Sequence, residues 1–281
     1  MQKSLKKHFM LFVFPTLAAF LIAFVIPFIM GIYLSFCEFT TVTNAKWVGF
    51  SNYVKAFTLN NEFLDAMWFT TKFAVVAVIT INLFAFILAL MLTRRIKGTN
   101  FFRTVFFLPN LIGGIVLGWL WQMILNGILS YFNVTLTYDP KFGFWGLVVL
   151  MNWQLIGYMM IIYIAGLQSI PDELTEAALI DGANWWQRLK SITVPLVMPS
   201  VTICMFLTVT NSFKLFDQNY ALTAGAPGRK TTMLALDIFN TFYNRTGWEG
   251  VGQAKAVIFF VVVGVISMLS MYLSRSKEVE Q

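Results

Sequence analysis

The apolar positions of this chain run in long unbroken blocks, with neither the alternation of a half-buried strand nor the one-sided stripe of a soluble helix. Marking every Asp, Glu, Lys and Arg leaves gaps long enough to cross a bilayer at Phe9–Cys37, Phe73–Thr93, Thr104–Tyr138, Phe142–Pro171, Ser191–Phe213 and Ala256–Ser274. Roughly 20 apolar residues suffice for a crossing, at about 1.5 Å of rise each. Lipid offers no partner to a backbone N–H or C=O, so each run is expected to be helical. The predicted spans are about 9–36, 70–93, 104–126, 143–167, 193–214 and 254–274. The third gap exceeds one crossing, and Asn126-Gly127 is expected to open a polar external loop there. The first block is about twice the length of a signal-peptide apolar region and no small-x-small site follows it, so it reads as an uncleaved helix. The expected fold class is an all-α polytopic membrane protein with six transmembrane helices. With no clear internal repeat and no low-complexity linker, residues 1–281 read as one transmembrane domain.

Composition sharpens the picture. Hydrophobic residues make up 58% of the 281 and charged residues 12%, about half the usual charged share. That excludes a disordered chain and argues against an ordinary soluble domain. The excess of 20 Lys and Arg over 13 Asp and Glu reads as basic loops on one side of a membrane, not as a nucleic-acid footprint. With the N-terminus inside, the inner segments hold Lys3, Lys6, Lys7, Arg94, Arg95, Lys97, Arg103, Arg188, Lys190, Arg275 and Lys277, more than half of the basic residues in the shorter loops. Both termini are therefore expected to be cytoplasmic, in a multi-pass protein of a bacterial or archaeal cell membrane.

The chemistry that is missing also informs. The span centres carry no ionisable side chain, which argues against proton or sodium coupling but leaves a channel open. One His and two Cys give no basis for a catalytic set, a metal site or a disulfide framework. Gly225-Ala-Pro-Gly-Arg-Lys-Thr231 superficially follows a phosphate loop, but Arg229 interrupts the spacing and no strand precedes it. The chain itself is thus expected to hold no cofactor and no catalytic residue. Two glycosylation sequons, at Asn133 and Asn244, are short enough to be chance.

Residues 168–195 break the apolar pattern. Ser169 is expected to cap a helix with Pro171 in its first turn. Asp172, Glu173 and Glu176 set negative charge near that helix's positive end. Gly182 can take a left-handed stop, and Asn184 can cap a second short helix through Trp185, Trp186 and Leu189. One reading is an interfacial helix anchored on lipid by the two tryptophans; the other is a docking surface for a second protein. The acidic first turn, which anionic inner-leaflet lipid would repel, favours docking.

At these residues the chain resembles the inner-membrane permease subunits of binding-protein-dependent ABC importers, in the carbohydrate-uptake branch. The Glu-Ala-Ala loop of that family reads here Glu176-Ala177-Ala178, then Asp181-Gly182-Ala183, Trp186-Gln187, Ile192-Thr193-Val194-Pro195 and Pro199. Trp47–Tyr53, Phe102–Pro109, Trp119–Trp121, Asn152–Gln168, Ser212–Asp217 and Leu222–Pro227 extend the likeness along nearly the whole chain. Gly225-Ala226-Pro227 replaces the familiar Gly-Gly-Pro, and Lys255 stands where a small or uncharged residue is usual. The resemblance implies the ABC importer permease fold. It also implies a second, homologous permease, two ATPase subunits that bind ATP and magnesium, and an extracellular solute-binding protein. Glu176, Ala177, Ala178, Asp181, Gly182, Ala183, Trp186 and Pro195 would form the coupling segment.

A polar solute crossing such a domain needs hydrogen-bond partners and aromatic faces part-way through the bilayer. Candidates are Asn152, Trp153, Gln154, Tyr158, Asn211, Lys214, Asp217 and Tyr220. Each has a plainer alternative, as an interfacial aromatic or a cross-helix hydrogen bond. The competing function is a channel or facilitator working without ATPase subunits; a membrane scaffold is a third.

Overall fold

The structure is a computed structural model that describes residues 13–58, 61–93 and 97–275. Lys3, Lys6, Lys7, Arg94, Arg95 and Lys277, on which much of the orientation reading rests, lie outside the described residues, as do residues 9–12 of the first expected span. The described residues pack as two units, those within Met1–Phe63 with Ile238–Phe260 and those within Leu64–Asp237 with Val261–Gln281.

In the first unit, α1 (Val13–Leu34) contains a π-helical turn at Leu21–Val25. It leads into a two-residue hairpin, β1 (Cys37–Glu38) antiparallel to β2 (Lys46–Trp47), and then α2 (Ser51–Thr58). The buried amide of Asn52 donates to the carbonyls of Ser35 (3.0 Å) and Cys37 (2.8 Å), so the polar groups released where α1 ends are paired. Lys255 is buried here. Its Nζ donates to the Thr241 hydroxyl (2.9 Å) and lies 5.3 Å from the ring centroid of Phe63. An ammonium taken out of water needs such partners, and the ring face supplies part of the compensation.

The second unit contains nearly all of α3 (Glu62–Thr93), then α4 (Thr99–Phe107), α5 (Gly114–Ser130), α6 (Pro140–Gln168), α7 (Asp172–Ile180), α8 (Trp185–Phe213) and α9 (Asp217–Leu222). Helices α10 (Leu234–Tyr243) and α11 (Glu249–Arg275) belong partly to each unit. Helices α1, α3, α6, α8 and α11 are each long and apolar enough to cross a membrane, and α4 with α5 reaches that length and apolarity only as a pair, bent by 101°, a sixth candidate crossing.

Helix α6 is the most enclosed of these spans, and the core forms around it. Helix α3 turns Phe73, Ala77, Ile81, Ala85 and Ala89 inward, one every fourth residue, the spacing of a single helical face. Lipid tails are as apolar as leucine, so burial alone does not hold spans together; close packing and interhelical hydrogen bonds do. Tyr163 Oη donates to Asn82 Oδ1 (2.8 Å), and Asn82 Nδ2 donates to Thr208 Oγ1 (3.3 Å), which ties α6, α3 and α8 through one amide. Each such bond contributes about 0.6–2 kcal/mol.

The helix expected at 104–126 is not continuous. Helix α4 stops at Phe107, Leu108–Leu111 form a 3-10 turn, and α5 sets off from Gly114 at 101° to α4. Pro109 has no N–H to give and its ring opposes a carbonyl four residues back, so a straight helix is disfavoured there. The break is pressed onto α6 at Gly157, where a β-carbon would collide with the backbone carbonyl of Phe106. Gly114 and Gly118, small residues four apart, admit α9 in the same way: a β-carbon at Gly118 would stand 2.7 Å from that of Ala221.

Candidate functional site

Two places in the second unit gather residues that the sequence singles out. The first is the connection from α6 to α8. Ser169 does not cap α7 as expected. Its N–H and its hydroxyl both donate to the Gly166 carbonyl (3.3 and 2.8 Å), closing the end of α6. A carbonyl orphaned by the last helical turn lies within reach of Ser169, whereas α7 starts three residues further on, behind Pro171 in extended conformation. Asp172 and Glu173 occupy the first turn of α7, at its positive end.

Gly182 has φ +79°. Its N–H donates to the Leu179 carbonyl (3.1 Å) and that of Ala183 to the Ala178 carbonyl (2.8 Å), the paired bonds that close a helix on a left-handed residue. Asn184 then caps the next helix reciprocally: Gln187 N–H donates to Asn184 Oδ1 (2.9 Å) and Asn184 N–H to Gln187 Oε1 (2.7 Å). The sequence reads a separate short helix after this cap. In the structure it runs on through a π-helical turn, Leu189–Thr193, into the span. Pro195 cannot donate to Ser191, and the wider turn relieves the clash its ring would make.

This connection is closed by its own hydrogen bonds but bare. Helix α7 buries no residue. Glu176, Ala177, Asp181 and Gly182 are exposed and Ala178 and Ala183 half-buried, while Ile180 is 87% and Trp186 70% exposed. Ile180 is absent from the sequence candidates; an isoleucine closing a helix whose neighbours are acidic was the available signal.

The second place is a cavity of about 470 Å³ bounded by α6, α8, α9 and the break before α5. Gln154, Tyr158, Asn211 and Lys214 line it, joined by Asn110 and Gln218, which sequence reading missed. Gln154 lies near the midpoint of α6 and accepts from Gln218 Nε2 (2.8 Å). Asn110 follows Pro109 in the break; a polar side chain beside a helix-breaking proline was its signal. The other four candidates lie elsewhere. Asn152 donates to Thr80 Oγ1 (2.9 Å), a cross-helix bond, and Trp153 packs against Trp121 at 5.7 Å between ring centroids. Tyr220 stacks on Phe216 (5.8 Å), and Asp217 begins α9 against Gly114. The Gly225–Thr231 segment is a closed turn, with the Thr231 hydroxyl on the Ala226 carbonyl (2.7 Å) and Arg229 paired to buried Asp237 (3.2 Å).

Long apolar helices, one of them broken beside a polar cavity, with a bonded but uncovered helical knob at their ends, define a polytopic membrane permease. The chain belongs to the family described as binding-protein-dependent transport system inner membrane component, which matches residues 94–277. It is 44% identical, over 96% of its length and 94% of the relative's, to the probable starch degradation products transport system permease protein AmyD of Thermoanaerobacterium thermosulfurigenes. It is 31% identical to the trehalose/maltose transport system permease protein MalF of Thermococcus litoralis, over 94% and 91% of the two chains. Its fold is similar to that of a chain from a bacterial ABC transporter involved in import of the acidic polysaccharide alginate, with a TM-score of 0.81, 23% identity and 98% of each chain covered.

Proposed function

We propose that this chain is the permease subunit of an ATP-driven importer that moves a sugar or oligosaccharide across the cell membrane. The solute arrives on an extracellular binding protein and crosses as the spans alternate between outward- and inward-facing states. A second, homologous permease completes the pathway. Two ATPase subunits hold the ATP and magnesium, and this chain transmits the motion without catalysing a reaction. In this reading both termini are cytoplasmic, and α7 docks on one ATPase subunit.

The observation that carries the reading is α7 itself. Its turn is fully bonded at Gly182 and Asn184, yet none of its residues is buried, and Glu173, Glu176, Leu179 and Ile180 are exposed. A passive channel has no need of an internally bonded, exposed knob. The cavity supports the solute side: amides from Asn110, Gln154, Asn211 and Gln218 suit sugar hydroxyls, and Tyr158 offers a ring for C–H faces. The solutes named for the relatives, starch degradation products and trehalose/maltose, are carbohydrates. A solved alginate transporter similar in fold is in complex with an alginate pentasaccharide-bound periplasmic protein.

Affinity purification of this chain from its own cells should bring down an ATPase subunit, and uptake of maltooligosaccharides by the reconstituted complex should require ATP. Full-rate uptake by the chain alone in vesicles would overturn the reading. Glu176→Lys should weaken ATPase capture about fivefold, the worth of one surface charge pair at about 1 kcal/mol; equal yield would remove Glu176 from the contact. Gln154→Leu or Asn211→Leu should lower uptake roughly tenfold, the scale of one lost buried hydrogen bond. Trp153→Ala, outside the cavity, should lower it less than twofold, and the reverse order would relocate the pathway.

A further inference from the structure

A second cavity takes no part in the proposal above. About 280 Å³ lies between the last turns of α3 and α6, helix α7 and the first turns of α8. Leu90, Leu167, Ile170, Leu189 and Ile192 give it an apolar lining, and Asp172, Arg188, Thr93, Thr175 and Thr193 give it polar groups. Asp172 and Arg188 form no ion pair with each other, and Arg188 Nε is shielded from solvent with no hydrogen-bond partner. A donor stranded on a charged group is costly unless something fills the space beside it.

We propose that this cleft holds the headgroup of a zwitterionic phospholipid, its phosphate on Arg188, its ammonium on Asp172, and the first carbons of its acyl chains on the apolar lining residues. Depth supports a lipid: Thr93 and Leu167 end apolar spans, where hydrocarbon gives way to headgroups. Half-exposed Trp185 at the mouth is a side chain suited to that level. Charge selects the class. Asp172, with Glu173 and Glu176 on the same helix, opposes a purely anionic headgroup, and Arg188 opposes a purely cationic one. The apolar lining favours the whole lipid over its water-soluble headgroup. A lipid seated there joins α7 to the ends of α3 and α6 and steadies the knob.

The test is native mass spectrometry of the full-length chain, alone and with its ATPase subunits, extracted from vesicles of equal phosphatidylethanolamine and phosphatidylglycerol. One phosphatidylethanolamine per chain should remain after detergent exchange, with at least fivefold preference over phosphatidylglycerol. Arg188→Gln and Asp172→Asn should each cut retention at least fivefold. Asp172 is exposed, so its variant keeps the test open should Arg188→Gln assemble poorly. Equal retention by Asp172→Asn, equal retention of phosphatidylglycerol, displacement by millimolar glycerophosphoethanolamine, or loss of the lipid when the ATPase subunits bind would each overturn the proposal. Lipid retention is read without transport, so its failure leaves the uptake experiments standing.

Discussion

Valine at position 182 is expected to cut ATP-driven uptake at least tenfold while leaving the subunit in the membrane. Gly182 holds φ +79° and a β-carbon there would meet nothing within 4 Å, so the effect is one of backbone conformation, not of crowding. A β-branched residue is a genuine outlier in the left-handed region, and even an unbranched L-residue there costs about 1–2 kcal/mol. One or two kcal/mol is a factor of about 5–30 in the population of the native turn. When the turn opens, the bonds from Gly182 to Leu179 and from Ala183 to Ala178 go together, and α7 no longer points as a unit. The control is Gly182→Asn, because asparagine tolerates the left-handed region. That variant should retain most of the uptake, and Gly182→Ala should fall between. Uptake by Gly182→Val equal to that of the parent would show that this turn transmits nothing.

Leucine in place of Gly157 is expected to strike the fold rather than the coupling. The obstacle is the backbone of Phe106 and Phe107, which cannot rotate away as a side-chain tip can. Overpacking of a tight site costs about 1–3 kcal/mol, occasionally more. Here it would force the α4 break off α6, the most enclosed span, and disturb the cavity that Asn110 helps line. Gly157→Leu should lower the yield of folded protein several-fold, with Gly157→Ala already lowering the thermal midpoint in detergent. Gly264→Ala is the comparison: no neighbour lies within 4 Å of a β-carbon there, and losing a helical glycine gains about 1 kcal/mol. If the two alanine variants unfold at the same temperature, the close approach at Gly157 is not a stabilising one.

Much of the candidate site was legible residue by residue, for a physical reason. The turn after α7 is built from contacts between residues at most five apart, so Gly182 and Asn184 announce it locally. Ser169 is misplaced by local reasoning because two helix ends compete for its hydroxyl within four residues, and only the position of the Gly166 carbonyl decides between them. The cavity was half legible. Gln154, Tyr158, Asn211 and Lys214 stand out as polar or amphipathic groups in apolar stretches, but nothing local separates them from Asn152, which spends its amide on Thr80. Asn110 and Gln218 enter only through the bend at Pro109 and the packing of α9 on α5.

By itself, then, the amino-acid order determined that the chain crosses a membrane as helices, where its apolar blocks lie and where the Glu-Ala-Ala segment turns. Those follow from hydropathy over about 20 residues and from backbone preferences over four or five. Tertiary structure decided which polar side chains share a cavity, that the third apolar block is bent by 101°, and that Asn82 bonds to Tyr163 and Thr208. These depend on which helices touch. In a bilayer that is set by close approach at small residues such as Gly157 and Gly118, whose role appears only when the neighbouring backbone is in place.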